Sequence, residues 1–193
     1  MSADQGTGGT NRQPIKLEGK AFAELLEKCR KGDRTAQRRL YEALSGKMFA
    51  VCLRYMGNRE SAQDILQDGF VALFTKLDSF SGEGSFEGWA RKIFVNTALM
   101  SLRKNDVLKT SDPLENALDL KTEIPSQIQN IGYKELLRLI ASLPDGYRTV
   151  FNMAVVEGYS HKEIAKELGI NEATSRSQLQ RARMMLQDKI RKL

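Results

Sequence analysis

The sequence has few of the residues that build disulfide frameworks and metal centres, and it has no membrane-spanning run. Its 193 residues include two cysteines and one histidine. Cys29 and Cys52 lack the close spacing of a metal-binding pair. No apolar run approaches the ~20 residues that span a bilayer, and the first residues contain no apolar core of a secretion signal. We therefore expect free, buried thiols in a reducing, cytoplasmic compartment and no membrane insertion.

Catalytic motifs are lacking as well. The chain has no G-x-x-x-x-G-K-[ST] phosphate loop, no H-E-x-x-H zinc motif and no G-x-S-x-G nucleophile turn. Asp64 and Asp68 stand four residues apart without a histidine nearby. His161 is predicted to be a surface residue beside a helix cap. We therefore predict a protein that is not an enzyme and that uses neither a metal nor another cofactor.

What the chain does have is positive charge in one place. The net charge is +6, which suits a polyanionic partner. Residues 176–193 are rich in lysine and arginine, whereas residues 106–135 are rich in acids. A basic surface without a function is equally common, so charge alone leaves nucleic-acid binding open.

The hydrophobic periodicity is helical along most of the chain, and no stretch alternates with the period of a strand. Residues 1–16 read as a disordered tail. Residues 106–127 contain two prolines and weak periodicity, which indicates a flexible linker. We therefore predict an all-α protein with two small helical domains, 17–105 and 128–193, in which helicity resumes at about Ser126.

The second domain contains a predicted helix-turn-helix. Ser160 with Glu163 forms a capping box, Gly169 suits the left-handed residue after a helix end, and Asn171 can cap the next helix. That helix is basic on one side, with Arg176, Arg181 and Arg183. A short glycine turn before an arginine-bearing helix is typical of major-groove recognition.

Two helices of the first domain carry residues on a second face that core packing does not require. The helix after Asn58 or Ser61 presents a polar stripe of Asp64, Gln67, Asp68, Val71 and Thr75. Such a stripe is usually solvated surface. The alternative is a docking site for a basic partner helix, because acids repel phosphate.

The next helix carries an aromatic and cationic side. Its shared side is predicted to hold Phe86, Trp89, Ile93, Asn96 and Met100, with Arg91, Lys92, Arg103 and Lys104 beside it. Core packing is the simplest interpretation of Trp89. The alternative is a stacking platform for an unpaired base, over which the Gly/Ser loop at 79–85 can close.

Together these segments resemble an extracytoplasmic-function (ECF) sigma factor of the bacterial sigma-seventy family, over about Leu17 to Ile190. E-S-A-Q-D-I-L-Q-D-G-F (60–70) resembles region two-point-two, and G-S-F-E-G-W-A-R-K-I-F-V-N-T-A (84–98) resembles regions two-point-three and two-point-four. L-P-D-G-Y-R-T-V-F (143–151), E-G-Y-S-H-K-E-I-A-K-E-L-G-I (157–170) and the arginine-bearing helix resemble region four.

The resemblance implies a function and a set of site residues. It implies binding to core RNA polymerase, through the β′ clamp helices and the β flap, and to promoter DNA, with an anti-sigma factor as a further partner. The resemblance assigns polymerase contact to Asp64, Gln67 and Asp68. It assigns binding and melting of the minus-ten element to Trp89, Lys92, Asn96, Arg103 and Lys104. It assigns recognition of the minus-thirty-five element to Thr174, Arg176, Ser177, Gln180 and Arg181.

The chain also departs from the family pattern. Gln178 stands where the family often has arginine, and residues 171–173 replace the usual S-x-G. We expect promoter preference to differ at these positions. Two other classes remain as alternatives: a helix-turn-helix regulator that acts without polymerase, and an enzyme with a DNA-binding tail, for which no catalytic site is found.

Overall fold

The computed structural model describes residues 17–104 and 132–193, and within these two ranges it contains helices and no strand. The predicted tail, the predicted linker and the predicted helix start at Ser126 lie outside the described residues. The helices are α1 Lys20–Arg30, α2 Arg34–Met56, α3 Arg59–Thr75, α4 Phe86–Lys104, α5 Tyr133–Ala141, α6 Asp145–Phe151, α7 His161–Leu168 and α8 Glu172–Ile190. The predicted all-α class is confirmed.

The helix starts follow from side chains that accept hydrogen bonds from the first free N–H groups. The Asp33 carboxylate accepts from the backbone N–H of Ala36 at 2.9 Å and caps α2. The Asn58 side-chain oxygen accepts from the N–H of Ser61 at 2.8 Å, so α3 begins after Asn58 rather than at Ser61. Capping matters because the first turn of a helix has no internal partners for its N–H groups.

The first half of the chain is a bundle of α1 to α4 around the apolar faces of α2, α3 and α4. The most deeply buried side chains include Leu40, Met48, Tyr55, Leu73 and Phe94. Gly69 of α3 allows α4 to come close, because a Cβ there would lie 2.3 Å from the Phe94 ring. This bundle holds α3 and α4 so that their polar faces point outward.

The second half packs α5, α6 and the C-terminal part of α8 around a smaller core. Its buried members are Leu139, Ile140, Leu143, Ala182, Leu186 and Ile190. A π-helical turn at Asn152–Val156 continues α6 and leads into α7. Helical structure therefore continues from Asp145 to Val156, with a wider last turn.

The two halves are in contact, which the sequence did not indicate. Val150, Met153, Ile164, Leu168 and Leu179 from the second half are buried in the same apolar cluster as the side chains of α1 to α4. Of these helices of the first half, α2 is one on which both α5 and α6 pack.

Both cysteines are free and buried, as predicted. Burial raises the pKa of Cys29 to about 11, with a smaller contribution from Asp33. Burial also raises the pKa of Cys52 to about 12. Both thiols are therefore protonated at neutral pH and unreactive. None of the described helices is both long and apolar enough to cross a membrane.

Candidate nucleic-acid interface

The predicted helix-turn-helix is present in α7 and α8. The Ser160 hydroxyl accepts from the N–H of Glu163, and the Glu163 carboxylate accepts from the N–H of Ser160 at 2.8 Å, which completes the capping box. These bonds to Ser160 lower the pKa of Glu163. Gly169 has the left-handed conformation, with φ at 67°, and the Asn171 side chain accepts from the N–H of Thr174 at 2.6 Å. Local sequence thus determines both ends of the turn.

The outward side of α8 carries the residues predicted to read DNA. Arg176 is exposed and forms an ion pair with Glu172 at 3.1 Å, one turn earlier. Thr174, Ser177, Gln180 and Arg181 are half-buried along its edge. Arg183 is exposed beside Arg176 and was not among the predicted site residues. Its position seven residues after Arg176, about two helical turns along the same side of α8, was the signal in the sequence that pointed to it.

The side chain of Arg181 forms a hydrogen bond with a residue that lies outside the helix-turn-helix. Its Nη1 donates to the hydroxyl of Tyr147 in α6 at 3.1 Å. Tyr147 itself packs against the smaller core. Sequence reasoning missed this tyrosine, because nothing in the spacing of α6 indicates which residue of α8 it reaches.

One expected specificity position does not face outward. Gln178 is only 5% exposed, so its side chain has no direct access to DNA in this structure. It lies on the buried side of α8, between the apolar positions that pack inward. Residues 171–173 are exposed and remain available for contact.

His161 is not the simple surface residue that the sequence predicted. It is half-buried, and its Nδ1 lies 2.8 Å from the Oγ of Ser175, which is fully buried in α8. The contact joins the two helices of the turn. Burial lowers the pKa of His161, and the positive charges of Arg176 and Arg183 lower it further, so the neutral imidazole is favoured.

In α4, the polar residues predicted to bind DNA lie along one exposed stripe. Lys92, Asn96 and Arg103 follow one another at helical spacing and are exposed, as is Lys104. Met100 lies on the same stripe and is 68% exposed. Phe86 and Ile93, which the sequence placed on this side, are buried. The stripe is therefore more cationic and less aromatic than predicted.

Trp89 lies at the start of this stripe and is half-buried. Its ring centroid is 5.3 Å from that of Phe80 and 5.3 Å from that of Phe86. Phe80 belongs to the loop predicted to cover an extruded base, and residues 81–85 of that loop are exposed. Trp89 thus packs on the core with one side and is open on the other. This position is compatible with core packing and with a stacking platform for an unpaired base.

The acidic face of α3, by which we mean Asp64, Gln67 and Asp68, is exposed. Val71 continues it and is 68% exposed. Within residues 17–104 and 132–193, neither aspartate forms an ion pair. An apolar residue beside two free carboxylates is suited to a basic, amphipathic protein surface rather than to DNA.

The chain is similar to known families and proteins over both halves. Residues 40–107 match the family model described as "Sigma-70 region 2", and residues 133–186 match "Sigma-70, region 4". An ECF RNA polymerase sigma-E factor of Haemophilus influenzae is 27% identical over 180 residues, which cover 88% of this chain and 95% of that protein. The ECF RNA polymerase sigma factor SigW of Bacillus subtilis is 24% identical over 183 residues, covering 87% and 96%.

Two solved structures were also found. CnrH in complex with the cytosolic domain of CnrY has 22% identity and a TM-score of 0.42, and the match covers 86% of this chain and 94% of that one. The sigma factor RpoE of Bartonella quintana, in complex with the anti-sigma factor NepR, has 20% identity and a TM-score of 0.46, with 81% and 96% covered.

The two family models lie in the order and on the halves that the sequence motifs predicted, and they span the helices that carry all three surfaces. The relatives match along nearly their whole length. The chain therefore belongs to the extracytoplasmic-function group of the sigma-70 family of RNA polymerase sigma factors.

Proposed function

We propose that this chain binds core RNA polymerase through α3 and directs it to promoters through two DNA-reading surfaces, one on α4 and one on α8. The observation that carries the proposal is that these three surfaces are exposed at once. The acidic face of α3, the cationic stripe of α4 and the arginine side of α8 all point to solvent. A regulator acting without polymerase has no need of the first two.

The acidic face of α3 is the proposed contact with the β′ clamp helices of polymerase. Two exposed carboxylates and the exposed Val71 side chain offer both charge and apolar area to a basic helix. The contact of the second half with the β flap is part of the same proposal. It rests on the family resemblance, as does an anti-sigma factor as a further partner in the cytoplasm.

The stripe on α4 is the proposed contact with the minus-ten element. Lys92, Arg103 and Lys104 supply charge for the backbone of a separated strand, and Asn96 supplies hydrogen bonds. Trp89, with one side open, supplies a stacking surface next to the exposed loop. Stacking of a base on an aromatic side chain contributes about 1–3 kcal/mol, which offsets part of the cost of unpairing.

The outward side of α8 is the proposed reader of the minus-thirty-five element. Arg176 is exposed at the start of the helix, where the recognition helix of such a turn contacts base edges. Its partner Glu172 is exposed too. Arg176 can therefore leave this carboxylate and bind a guanine without leaving a buried charge unpaired.

Transcription from purified components tests this function. Core polymerase with and without the chain is offered a library of promoter sequences. We expect specific transcripts only when the chain is present, from promoters that share two boxes. Binding of the chain to duplex DNA without any gain in transcription would favour the regulator instead.

Replacement of Arg176 by alanine tests the reading by α8. A good bidentate arginine–guanine pair discriminates by about 1–3 kcal/mol. We therefore expect Arg176→Ala to relax the library preference at one base pair of the upstream box. Arg38→Ala is the matched control, because Arg38 of α2 is an exposed arginine that also pairs with a glutamate four residues away, outside the proposed DNA surfaces. A uniform loss of binding in Arg176→Ala would identify Arg176 as a phosphate contact.

A further inference from the structure

Arg30 joins the end of α1 to the start of the loop at 79–85. It is the last residue of α1, and its Nη2 donates to the carbonyl of Phe80 at 3.1 Å. The same nitrogen donates more weakly, at 3.4 Å, to the carbonyl of Leu77, the first residue of a short 3₁₀ turn, Leu77–Ser79. The bond to Phe80 spans 50 positions of the sequence, so no local pattern predicts it.

The other guanidinium nitrogens of Arg30 face two carboxylates. Nη1 donates to Oε1 of Glu27, one turn earlier in α1, at 2.5 Å, and Nε lies 3.6 Å from Oδ1 of Asp78 in the 3₁₀ turn. The side chain of Arg30 is 25% exposed. A planar guanidinium presents its donors in a fixed fork, so these partners determine its orientation. Because both acids repel phosphate, Arg30 is placed to hold the loop rather than to bind DNA.

Phe80 links the start of the loop to Trp89. Its ring is buried, and the ring centroid lies 5.0 Å from that of Phe86, edge to face, and 5.3 Å from that of Trp89. Phe86 in turn meets Phe22 of α1 edge to face at 5.0 Å. Aromatic rings at these separations have preferred relative orientations. A displacement of Phe80 therefore changes the surroundings of Trp89, which is the proposed stacking surface.

The tip of the loop lies outside the core. Residues 81–85 are exposed, and a Cβ at Gly82 or Gly84 would meet no atom within 4 Å. An open cavity of about 420 Å³ lies between this part of the loop and α1, and Leu26 of α1 is among the residues that line it. The position of the tip therefore depends on how the start of the loop is held.

We propose that Arg30 is a positioning residue for strand opening, which holds the loop at 79–85 beside Trp89 through its bonds to the carbonyls of Phe80 and Leu77. The proposal rests on the proposed function of α4 and of the loop, and it gives α1 a part in minus-ten recognition. Arg30 acts through the loop and does not touch the DNA. A loop that is already in place loses less conformational entropy when it covers an extruded base.

Tryptophan fluorescence of the free chain tests the positioning. Trp89 is the only tryptophan of the sequence, so acrylamide quenching reports the exposure of this ring alone. We expect Arg30→Met, which keeps an unbranched apolar stem and loses every donor, to raise the quenching constant. Lys28→Met is the matched control, because Lys28 is an exposed cation in the same last turn of α1. Quenching equal to that of the native chain in Arg30→Met would overturn the proposal.

Permanganate reactivity with core polymerase on a duplex promoter tests the consequence for strand opening. We expect Arg30→Met to form about tenfold fewer open complexes, because the loop must first be ordered without its charged hydrogen bonds. Its preference at the extruded base, measured on a library of minus-ten sequences, should also weaken, which a general loss of stability does not produce. Lys28→Met should open promoters normally and keep the native preference.

The salt dependence of closed-complex binding distinguishes a positioning residue from a phosphate contact. We expect Arg30→Met and Lys28→Met to show the same slope of affinity against salt concentration. A slope that is shallower by about one phosphate contact in Arg30→Met alone would identify Arg30 as a DNA contact and contradict the proposal.

Two further readings separate folding and function from positioning. Thermal unfolding followed by circular dichroism must show that both methionine variants are folded at the assay temperature. If Arg30→Met is unfolded, Arg30→Lys decides instead, because an ammonium does not reproduce the fork of a guanidinium, and unchanged quenching in that variant would overturn the proposal. Higher quenching with normal opening would overturn the part of Arg30 in strand opening. Failure of the native chain to support transcription would contradict the proposed function, while the quenching result would still decide whether Arg30 holds the loop.

Discussion

At the scale of single residues, a few positions are determined by the space around them. Gly69 and Gly46 both lie inside helices of the first half. A Cβ on Gly69 would meet the Phe94 ring at 2.3 Å, whereas a Cβ on Gly46 would meet nothing within 4 Å. The sequence marks both as helix interior residues of low propensity. Only the packing of α3 on α4 shows that one of them is required.

We expect Gly69→Ala to lower the free energy of unfolding by about 1–3 kcal/mol, the usual cost of an extra methyl group in a filled core. Gly46→Ala is the matched control and should raise it by about 0.5–1 kcal/mol, since alanine loses less entropy in a helix. Urea unfolding followed by circular dichroism measures both. Equal stability of Gly69→Ala and the native protein would mean that Phe94 moves aside at no cost.

At the scale of elements, the sequence predicts helices and their ends better than the side that each helix buries. The caps at Asp33, Ser160 and Asn171 are local, because a side chain meets an N–H group three residues away. The buried side of α4 depends on how the neighbouring helices lie. That is why Ile93 was placed with Trp89 from the sequence and lies buried in the structure.

Trp89→Ala tests the role of α4. Because Trp89 is anchored by Phe80 and Phe86 with one side open, we expect a loss of about tenfold or more in open complexes, with closed-complex binding retained. This estimate corresponds to a stacking contribution of about 1–3 kcal/mol. Permanganate reactivity of unpaired thymines reports melting, and gel shift reports binding.

Tyr41→Ala is the matched control for this test. Tyr41 is a partly exposed aromatic residue of α2 that packs on Phe70 at 4.5 Å, away from the DNA-reading stripe. Normal permanganate reactivity in Trp89→Ala would assign Trp89 to the core alone. So would an equal loss of binding and melting together with lower thermal stability.

At the scale of the whole molecule, the placement of the three surfaces decides what the protein can bind. The acidic face of α3 lies on a different helix from the stripe of α4 and from the outward side of α8, and all three are exposed in the same structure. In the proposed function, polymerase bound to α3 therefore leaves the residues of α4 and α8 accessible to DNA.

Charge reversal of the acidic face tests the contact with polymerase. We expect Asp64→Arg with Asp68→Arg to abolish co-purification with core polymerase, because two attractive charges become repulsive at the contact. Both aspartates are exposed and form no ion pair within the described ranges, so folding should be unaffected. Glu18→Arg with Glu24→Arg makes the same change of charge at exposed sites on and before α1 and should bind normally. Undiminished co-purification of the first variant would move the contact to another surface.

The sequence by itself determined the helical class, the caps, the helix-turn-helix and the resemblance that the family models then confirmed. These features are local or are carried by the order of motifs along the chain. Only the tertiary structure decided that Gln178 is buried, that Tyr147 holds Arg181, and that Arg148 and Asn152 complete the end of α2. The last two contacts join residues more than 90 positions apart. No periodicity or cap records such a contact, because it depends on how whole helices pack.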